Sequence, residues 1–269
     1  MTLQALTLLP PDASEQIRYV LCDIDDTVTT DGKLTAHAYA AMQQLHDSGL
    51  KVIPITGRPA GWCDHIARMW PVDAVVGENG AFYMRYDHAA RKMTQGFWTD
   101  PQTQQANRQR LNTLALTILK EVPGCALASD QPYRIADLAI DFCEDVDPLP
   151  ESAIERIVDL FKHAGATAKV SSIHVNGWFG EYDKLTMTKR LFAEVFHQTL
   201  DQMQSKVLFI GDSPNDAPMF SYFDLSVGVA NVTDHLHRLA APPKYVCRGR
   251  GGAGFAEMAA QLVALHPKN

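Results

Sequence analysis

The 269-residue chain carries 31 Asp and Glu against 24 Lys and Arg, a formal net charge of −7. It therefore lacks the basic field that would attract nucleic acid or an anionic membrane. Its five scattered cysteines have no ligand spacing, which argues against a disulfide framework and a zinc site. No run reaches the ~18 apolar residues of a membrane helix, and the N-terminus lacks the basic start of a signal peptide. We expect a soluble, cytoplasmic protein without nucleic-acid or membrane partners; the sequence leaves open a monomer or a small homo-oligomer.

The two ends of the chain predict alternating strands and helices. In the first part, strands are predicted at residues 17–22, 50–55 and 73–76, with helices at 35–48 and 60–70. In the last part, helices are predicted at residues 184–196, 217–223 and 254–265, with strands at 207–210 and 225–229. This alternation is typical of a parallel sheet with helices on its faces, an α/β fold.

The middle of the chain has a different order of predicted helices and strands. Helices are predicted at residues 104–122 and 151–164 and strands at 135–142 and 168–179, whereas residues 85–98 are mixed and polar. We therefore predict an inserted α+β domain. The predicted division gives residues 1–84 and 182–269 to the core and residues 85–181 to the insert.

Two acidic segments each follow a predicted core strand. Segment 23–27 (DIDDT) crowds three carboxylates into one turn, which is unfavourable unless a cation offsets their repulsion. Segment 211–216 (GDSPND) adds Asp212 and Asp216. A helix N-cap would explain one acid, but not both clusters. Because the carboxyl ends of parallel strands lie along one edge of a sheet, we expect the two segments to meet there.

Two further segments carry weaker signals. Segment 56–58 (TGR) follows a predicted strand, and its hydroxyl, backbone and guanidinium donors are suited to phosphate oxygens. Lys184 opens the helix after the insert. Alone, Thr-Gly is common in turns and a lysine at a helix start is most often solvated. Their interpretation therefore depends on the acidic segments.

Taken in order, these four segments resemble the four motifs of the haloacid dehalogenase superfamily, over residues 18–254. The insert lies between the second and third motifs, where one branch of the superfamily carries an α/β cap. That branch is similar to the sugar-phosphatase group, with sucrose-phosphate and trehalose-phosphate phosphatases and Cof-like enzymes. Segment 77–81 (GENGA) is similar to the Asn-Gly-Ala found before this cap. The resemblance implies a Rossmann-like core with an inserted cap domain.

The resemblance also implies roles for the acids. Asp23 would be the nucleophile that forms an aspartyl-phosphate, and Asp25 the general acid and then base. The Asp23 and Asp212 carboxylates and the Asp25 main-chain carbonyl would bind Mg²⁺, which prefers oxygen ligands. Asp216 would orient a metal-bound water or Lys184.

The same resemblance suggests the phosphate ligands. Thr56, Lys184 and Asn215 are the candidates, with Lys184 also balancing the crowded acids. Dehalogenating members lack the second acid of the first motif, so Asp25 points to phosphate chemistry. Asp26 stands where many relatives have Gly, and we expect it to cap the turn or to be solvated.

The predicted strand at residues 168–179 suggests a substrate surface. Its two-residue period puts His174, Asn176 and Trp178 on one face. A polar and aromatic face suits a sugar, because Trp stacks on its apolar side and amides bind hydroxyls. An ordinary solvent-facing surface is an equally open alternative. Arg134, near the earlier cap strand, is expected at the surface.

The predicted function is Mg²⁺-dependent hydrolysis of a small phosphorylated metabolite, a sugar phosphate or a similar phosphomonoester. One alternative is a phosphomutase of the phosphomannomutase type, which would need a second phosphate site built from several cap arginines. The sequence shows no such cluster. The other alternative is a non-catalytic phosphometabolite-binding protein, against which both Asp23 and Asp25 are present.

Overall fold

The computed structural model describes residues 3–266. Its strands are β1 (Gln4–Ala5), β2 (Tyr19–Cys22), β3 (Lys51–Pro54), β4 (Val75–Gly77), β5 (Phe82–Asp87), β6 (Lys92–Phe97), β7 (Ala126–Leu127), β8 (Leu138–Asp141), β9 (Thr167–Val170), β10 (His174–Trp178), β11 (Val207–Gly211), β12 (Leu225–Gly228) and β13 (Tyr245–Val246). Its α-helices are α1 (Pro11–Gln16), α2 (Ala36–Asp47), α3 (Ala60–Met69), α4 (Pro101–Glu121), α5 (Glu151–His163), α6 (Lys184–Val195), α7 (Ala217–Tyr222) and α8 (Gly251–Leu265).

The core is a six-stranded parallel sheet in the order β1-β13-β12-β11-β2-β3. The central strands β2 and β11 are buried along their whole length, as expected for a parallel sheet covered on both faces. Helices α2, α3 and α8 contribute to one apolar cluster, and α6 and α7 contribute to the cluster on the other face. The predicted α/β fold with an inserted α+β domain is confirmed. The two-residue strands β1 and β13 were not predicted, because such short pieces leave no periodic pattern.

Strand β4 leads out of this sheet into a hairpin. Val76 of β4 forms a parallel bridge with Ile55 at the end of β3, and β4 pairs antiparallel with β5, which pairs with β6. The mixed segment at residues 85–98 is therefore mostly hairpin. Phe82 and Met84 of β5 are buried in the core cluster. The domain division at residues 85 and 181 stays a prediction, and a boundary at Arg85 would cut β5 in two.

The inserted region forms a four-stranded antiparallel sheet in the order β7-β8-β10-β9. It has its own apolar cluster, in which α4 and α5 pack on the sheet through residues such as Leu111, Ile157 and Phe161. The marked apolar face of α5 provides much of this packing. The insert therefore has a core of its own beside the parallel sheet.

One predicted strand corresponds to two strands in the structure. Residues 168–179 were predicted as a single strand, but β9 and β10 form an antiparallel hairpin. The Ser171 hydroxyl accepts hydrogen bonds from the N–H groups of Ile173 and His174, and the Ser171 N–H donates to the His174 carbonyl. A serine side chain that bonds to nearby main chain favours a turn over a continued strand. This hairpin tip reaches the site described below.

Local signals placed α2 correctly. The Thr35 side chain accepts a hydrogen bond from the Ala38 N–H, and Gly49, just beyond the helix, has φ of +82°. Both are the expected chemistry of helix ends. None of the helices in residues 3–266 is both long and apolar enough to cross a membrane.

Candidate active site

The two acidic segments meet at the carboxyl edge of the parallel sheet. The Asp23 N–H donates to the Ile210 carbonyl, which joins the end of β2 to the end of β11. One carboxylate oxygen from each of Asp23, Asp212 and Asp216 lies within 4.8 Å of the others, and all three residues are buried. Adjacent parallel strands thus bring together acids almost 190 positions apart, as the sequence predicted.

Lys184 lies inside this acid cluster. Its Nζ donates to Asp23 Oδ1 at 2.8 Å and to Asp216 Oδ1 at 2.7 Å, and its side chain is only 2% exposed. Burial lowers the pKa of Lys184, but Asp216 and Asp23 outweigh that effect and the net pKa shift is upward. The Asp183 capping box starts α6 at this lysine and so fixes its position. The interpretation of Lys184 as a solvated surface lysine is wrong.

The other two acids are held by hydrogen bonds. Asp216 Oδ2 accepts from the N–H groups of Asp212, at 3.1 Å, and Ser213, at 3.3 Å. Asp212 accepts from the Thr27 hydroxyl at 3.0 Å and from Asn231 Nδ2 at 3.2 Å. These bonds fix the carboxylate orientations before any ligand arrives.

Asn231 is a site residue that sequence reasoning missed. Besides Asp212, its amide binds the Asp26 carbonyl at 2.9 Å, and its oxygen accepts from the Gly251 N–H. Its only sequence signal is its position just after the strand that ends at Gly228, at the same edge of the sheet. A single Asn in a loop is too common to be identified from that signal alone.

The acid cluster contains more negative than positive side chains. Three carboxylates against the one Lys184 ammonium give a formal net charge of −2. Burial raises the pKa of Asp23 to about 8 although Lys184 lowers it, and burial also raises the pKa of Asp212. A divalent cation would offset the repulsion between these buried carboxylates. The donors are all oxygen, so the residues fit Mg²⁺.

Asp25 lies beside this cluster, bound to Arg58. Arg58 Nε donates to Asp25 Oδ1 at 2.8 Å and to Oδ2 at 3.1 Å, and Arg58 is 4% exposed. Arg58 Nη2 lies 2.7 Å from Asp25 Oδ1 and also 3.0 Å from Glu144 Oε1 of the insert. The Arg58 main-chain N–H donates to the buried Thr56 hydroxyl. Arg58 therefore connects Asp25 in the core to Glu144 in the insert.

A narrow space of about 10 Å³ lies between the core and the insert. Its lining residues are Asp23, Asp25, Gly57, Arg58, Arg134, Ser171, Ser172, Ile173, His174, Asn176, Ser213 and Asn215. The hairpin tip between β9 and β10 therefore faces the acids, with His174 and Asn176 in the wall. Such a volume holds about one water molecule, so core and insert must separate before a larger molecule enters.

Two residues of the insert differ from expectation. Trp178 does not face the space, because it is fully buried and stacked on Tyr182 with ring centroids 5.4 Å apart. Arg134 is not at the surface, since its side chain is 1% exposed and ion-paired with Asp130 and Asp137. It also donates to the Gly57 carbonyl at 2.8 Å. The alternation of β10 was correct, but neighbouring elements cover Trp178.

Asp26 occupies a special backbone position. Its φ is +54°, a left-handed conformation that Gly adopts without strain and Asp tolerates better than most residues. Burial raises the pKa of its carboxyl, while a hydrogen bond with Ser172 of the insert lowers it. The fully solvated alternative is therefore wrong, and Asp26 is another contact between core and insert.

Comparison with known proteins agrees with this geometry. The sequence model of the family of haloacid dehalogenase-like hydrolases matches residues 20–99 and 151–242 of this chain. The chain belongs to this family of hydrolases. A comparison with curated proteins gave no significant match.

Solved structures share the fold at low sequence identity. A trehalose-6-phosphate phosphatase C-terminal domain from Candida albicans has a TM-score of 0.70 and 13% identity, with 98% of each chain covered. A Thermoplasma acidophilum protein has a TM-score of 0.68 and 18% identity, covering 91% of this chain and 98% of that one. The sucrose-phosphatase of Synechocystis, solved with sucrose and phosphate, has a TM-score of 0.62 and 16% identity, covering 92% and 98%.

Proposed function

We propose that this hydrolase is a Mg²⁺-dependent phosphatase that forms an aspartyl-phosphate on Asp23 and then hydrolyses it. The observation that carries the proposal is the buried position of Lys184, shared between Asp23 and Asp216 inside an acid cluster of net charge −2. Lys184 lowers the pKa of the Asp23 carboxyl, which burial raises, and orients that nucleophile beside a site for a cation.

The residues support a two-step displacement. The Asp23 carboxylate attacks phosphorus and the bond from phosphorus to the leaving oxygen breaks, with Asp25 giving that oxygen a proton. Asp25 then takes a proton from water, whose oxygen attacks phosphorus and releases inorganic phosphate and the Asp23 carboxylate. General acid-base help of this kind is worth ~10²–10⁴-fold in rate. Arg58 holds Asp25 in place for both steps.

The Asp23 and Asp212 carboxylates and the Asp25 main-chain carbonyl would hold Mg²⁺. The ion would offset the repulsion between the nucleophile and the phosphoryl group. Asp216 does not need to bind it directly, because its oxygens are taken by Lys184 and by two main-chain N–H groups. Asp216 therefore positions Lys184 and the loop that carries Asp212.

Thr56, Lys184 and Asn215 are the proposed phosphate ligands. The Thr56 oxygen accepts from a main-chain N–H, which leaves its hydroxyl proton for a phosphate oxygen. The Ser213 hydroxyl donates to Asn215 Oδ1 at 2.6 Å, which leaves the amide N–H groups of Asn215, a residue that lines the narrow space, for a phosphate oxygen.

The insert, proposed as the cap over residues 85–181, would cover the leaving group through His174 and Asn176. Two structural neighbours, a sucrose-phosphatase and a trehalose-6-phosphate phosphatase, support a phosphorylated sugar or a similar phosphomonoester as the substrate. A mutase would need several cap arginines at a second phosphate site. Three of the cap arginines have other partners: Arg108 donates to carbonyls, Arg134 is paired with two acids, and Arg156 is paired with Glu121.

The test is phosphate release from p-nitrophenyl phosphate with Mg²⁺ and after chelation. We expect the wild-type protein to release phosphate only when Mg²⁺ is present, and the Asp23→Asn variant to release none. Equal rates in both, or no turnover with metal, would exclude the proposed chemistry. Transfer of phosphate between two positions of a hexose phosphate would favour the mutase instead.

A further inference from the structure

The donor groups of the insert that face the candidate site are already bound to carboxylates. His174, Asn176 and Arg134 are the insert side chains of this kind that line the narrow space. Asn176 Nδ2 donates to Asp137 Oδ2 at 2.9 Å, and His174 Nε2 lies 2.8 Å from Glu144 Oε2. His174 and Asn176 are the residues proposed to cover the leaving group, so these partners determine what the two side chains can offer it.

The arginines beside them are paired in the same way. Arg134 contacts Asp130 at 2.8 Å and Asp137 at 3.1 Å, and its side chain is 1% exposed. Arg58, on the core side, contacts three carboxylates, of which Glu144 is the most exposed. A second anionic group on a substrate would therefore have to displace a carboxylate of the protein from either guanidinium.

The charge of this part of the insert does not depend on how far the insert lies from the core. Asp130, Asp137 and Glu144 are three carboxylates against the one guanidinium of Arg134, which gives a formal net charge of −2. We call these four side chains the acidic wall. When the site opens, Glu144 moves away from Arg58 and the acidic wall loses a compensating cation. A bound Mg²⁺ would offset the acid cluster of the core, not the acidic wall.

The acidic wall suits hydroxyl groups and disfavours a second anion. A hydroxyl both donates and accepts hydrogen bonds, so it can donate to the Glu144 carboxylate, which is 27% exposed. A carboxylate on the leaving group can only accept, and here it would meet acceptors of its own charge. Like charges that are brought together at a contact disfavour the complex.

We infer that the leaving group is an uncharged polyol and that Glu144 determines this specificity, by repelling a second anionic group and by occupying the donors of Arg58 and His174. The inference rests on the proposed phosphatase function and narrows its substrate class to phosphomonoesters whose only anionic group is the phosphate. Phosphorylated sugar acids and sugar bisphosphates are the classes that the acidic wall rejects. The preference should be about tenfold or more.

Lys169 offers the rival position for a second anion. It lies opposite Asn176 in the pairing of β9 with β10, and it lines an open cleft of about 820 Å³ between α5 and the segment after β11. That cleft reaches Asn215 but neither Asp23 nor Asp25. Its lining has as many Asp and Glu as Lys and Arg side chains, so the cleft has no net positive charge to attract an anion.

The experiment compares glucitol 6-phosphate with 6-phosphogluconate. The two esters share the phosphorylated end and differ at the opposite end of the chain, where one has a CH₂OH group and the other a carboxylate. We expect kcat/KM for glucitol 6-phosphate to be higher by about tenfold or more, and Glu144→Gln to reduce this ratio by about threefold or more. The wild-type ratio should also fall as the ionic strength rises from about 0.01 M to about 1 M, because salt screens charge repulsion.

Glu155→Gln is the matched control, because it removes the same charge from the insert at a residue that lines the open cleft. It should leave the ratio unchanged, and an equal fall in both variants would overturn the inference. So would a ratio that Glu144→Gln does not change. A wild-type ratio of one or less would also overturn it, and if Lys169→Met then raised the ratio, the leaving group would lie at the open cleft.

Failure of both esters in an enzyme that hydrolyses p-nitrophenyl phosphate would likewise overturn the inference, because polyols would then not be its leaving groups. Failure of the proposed function is a distinct result. In that case no ester, p-nitrophenyl phosphate included, shows phosphate release that depends on Mg²⁺ and Asp23.

Discussion

Lys184→Met tests whether the buried ammonium holds the acid cluster together. Methionine nearly keeps the length and volume of the lysine stem but removes the charge and both hydrogen bonds, to Asp23 and Asp216. The three carboxylates of the cluster would then lie in a buried site with no cationic side chain among them. The folded protein must either protonate one of them or open the site to water.

The expected magnitude follows from the burial. Removing one partner of a buried ion pair costs about 3–5 kcal/mol in unfolding free energy. We take the lower end, because the pKa of Asp23 is already raised to about 8 and protonation there relieves part of the repulsion. For a chain of this size, about 3 kcal/mol corresponds to a fall in Tm of roughly 6–12 °C.

The assay is urea unfolding and thermal melting at pH 7 without metal, with Lys51→Met as control. Lys51 also forms a 3.0 Å ion pair, with Asp73, but its side chain is 44% exposed. An exposed pair contributes about 0–1 kcal/mol, so this control should change little. Similar losses in the two variants would refute the argument that burial makes Lys184 important.

Three further predictions concern stability. Mg²⁺ at about 100 times its Kd should raise the unfolding free energy by about 2.7 kcal/mol, measured by melting, and Asp212→Asn should remove most of that gain. Glu78→Gln should destabilise by about 3 kcal/mol in urea unfolding, because the buried Glu78 carboxylate accepts four main-chain N–H bonds that an amide cannot all accept. Glu144→Gln should cost about 1–2 kcal/mol at pH 7, a figure reduced for partial exposure. His174 and Arg58 lower the pKa of Glu144 to about 2, so this difference should be present above pH 4.5 and vanish as the pH falls towards 2.

Glu121→Gln is the control for the two glutamate variants. It breaks an exposed pair with Arg156 and should cost less than about 1 kcal/mol. If it matched Glu78→Gln, the main-chain bonds would not explain the loss. A difference for Glu144→Gln that grew on acidification would have the wrong sign for a lowered pKa. A Mg²⁺ gain that persisted in Asp212→Asn would place the metal elsewhere.

The sequence alone determined the order of the core elements and the edge at which the acids meet. Apolar runs that end in carboxylates need only the geometry of a parallel sheet to bring Asp23 and Asp212 together. The start of α2 was equally local, since the Thr35 side chain caps the helix within three residues. Such features can be predicted from the sequence because the interacting groups are neighbours in the chain or are placed by the fixed geometry of strands.

The tertiary structure decided burial and partners. It enclosed Lys184, Arg134 and Trp178, connected Arg58 to Glu144 across 86 positions, and turned one predicted strand into a hairpin with its tip at the site. Whether a polar side chain is solvated or paired depends on what packs over it, and those covering elements come from distant parts of the chain. The alternation of a strand gives its two faces, but only packing decides which part of a face reaches a substrate.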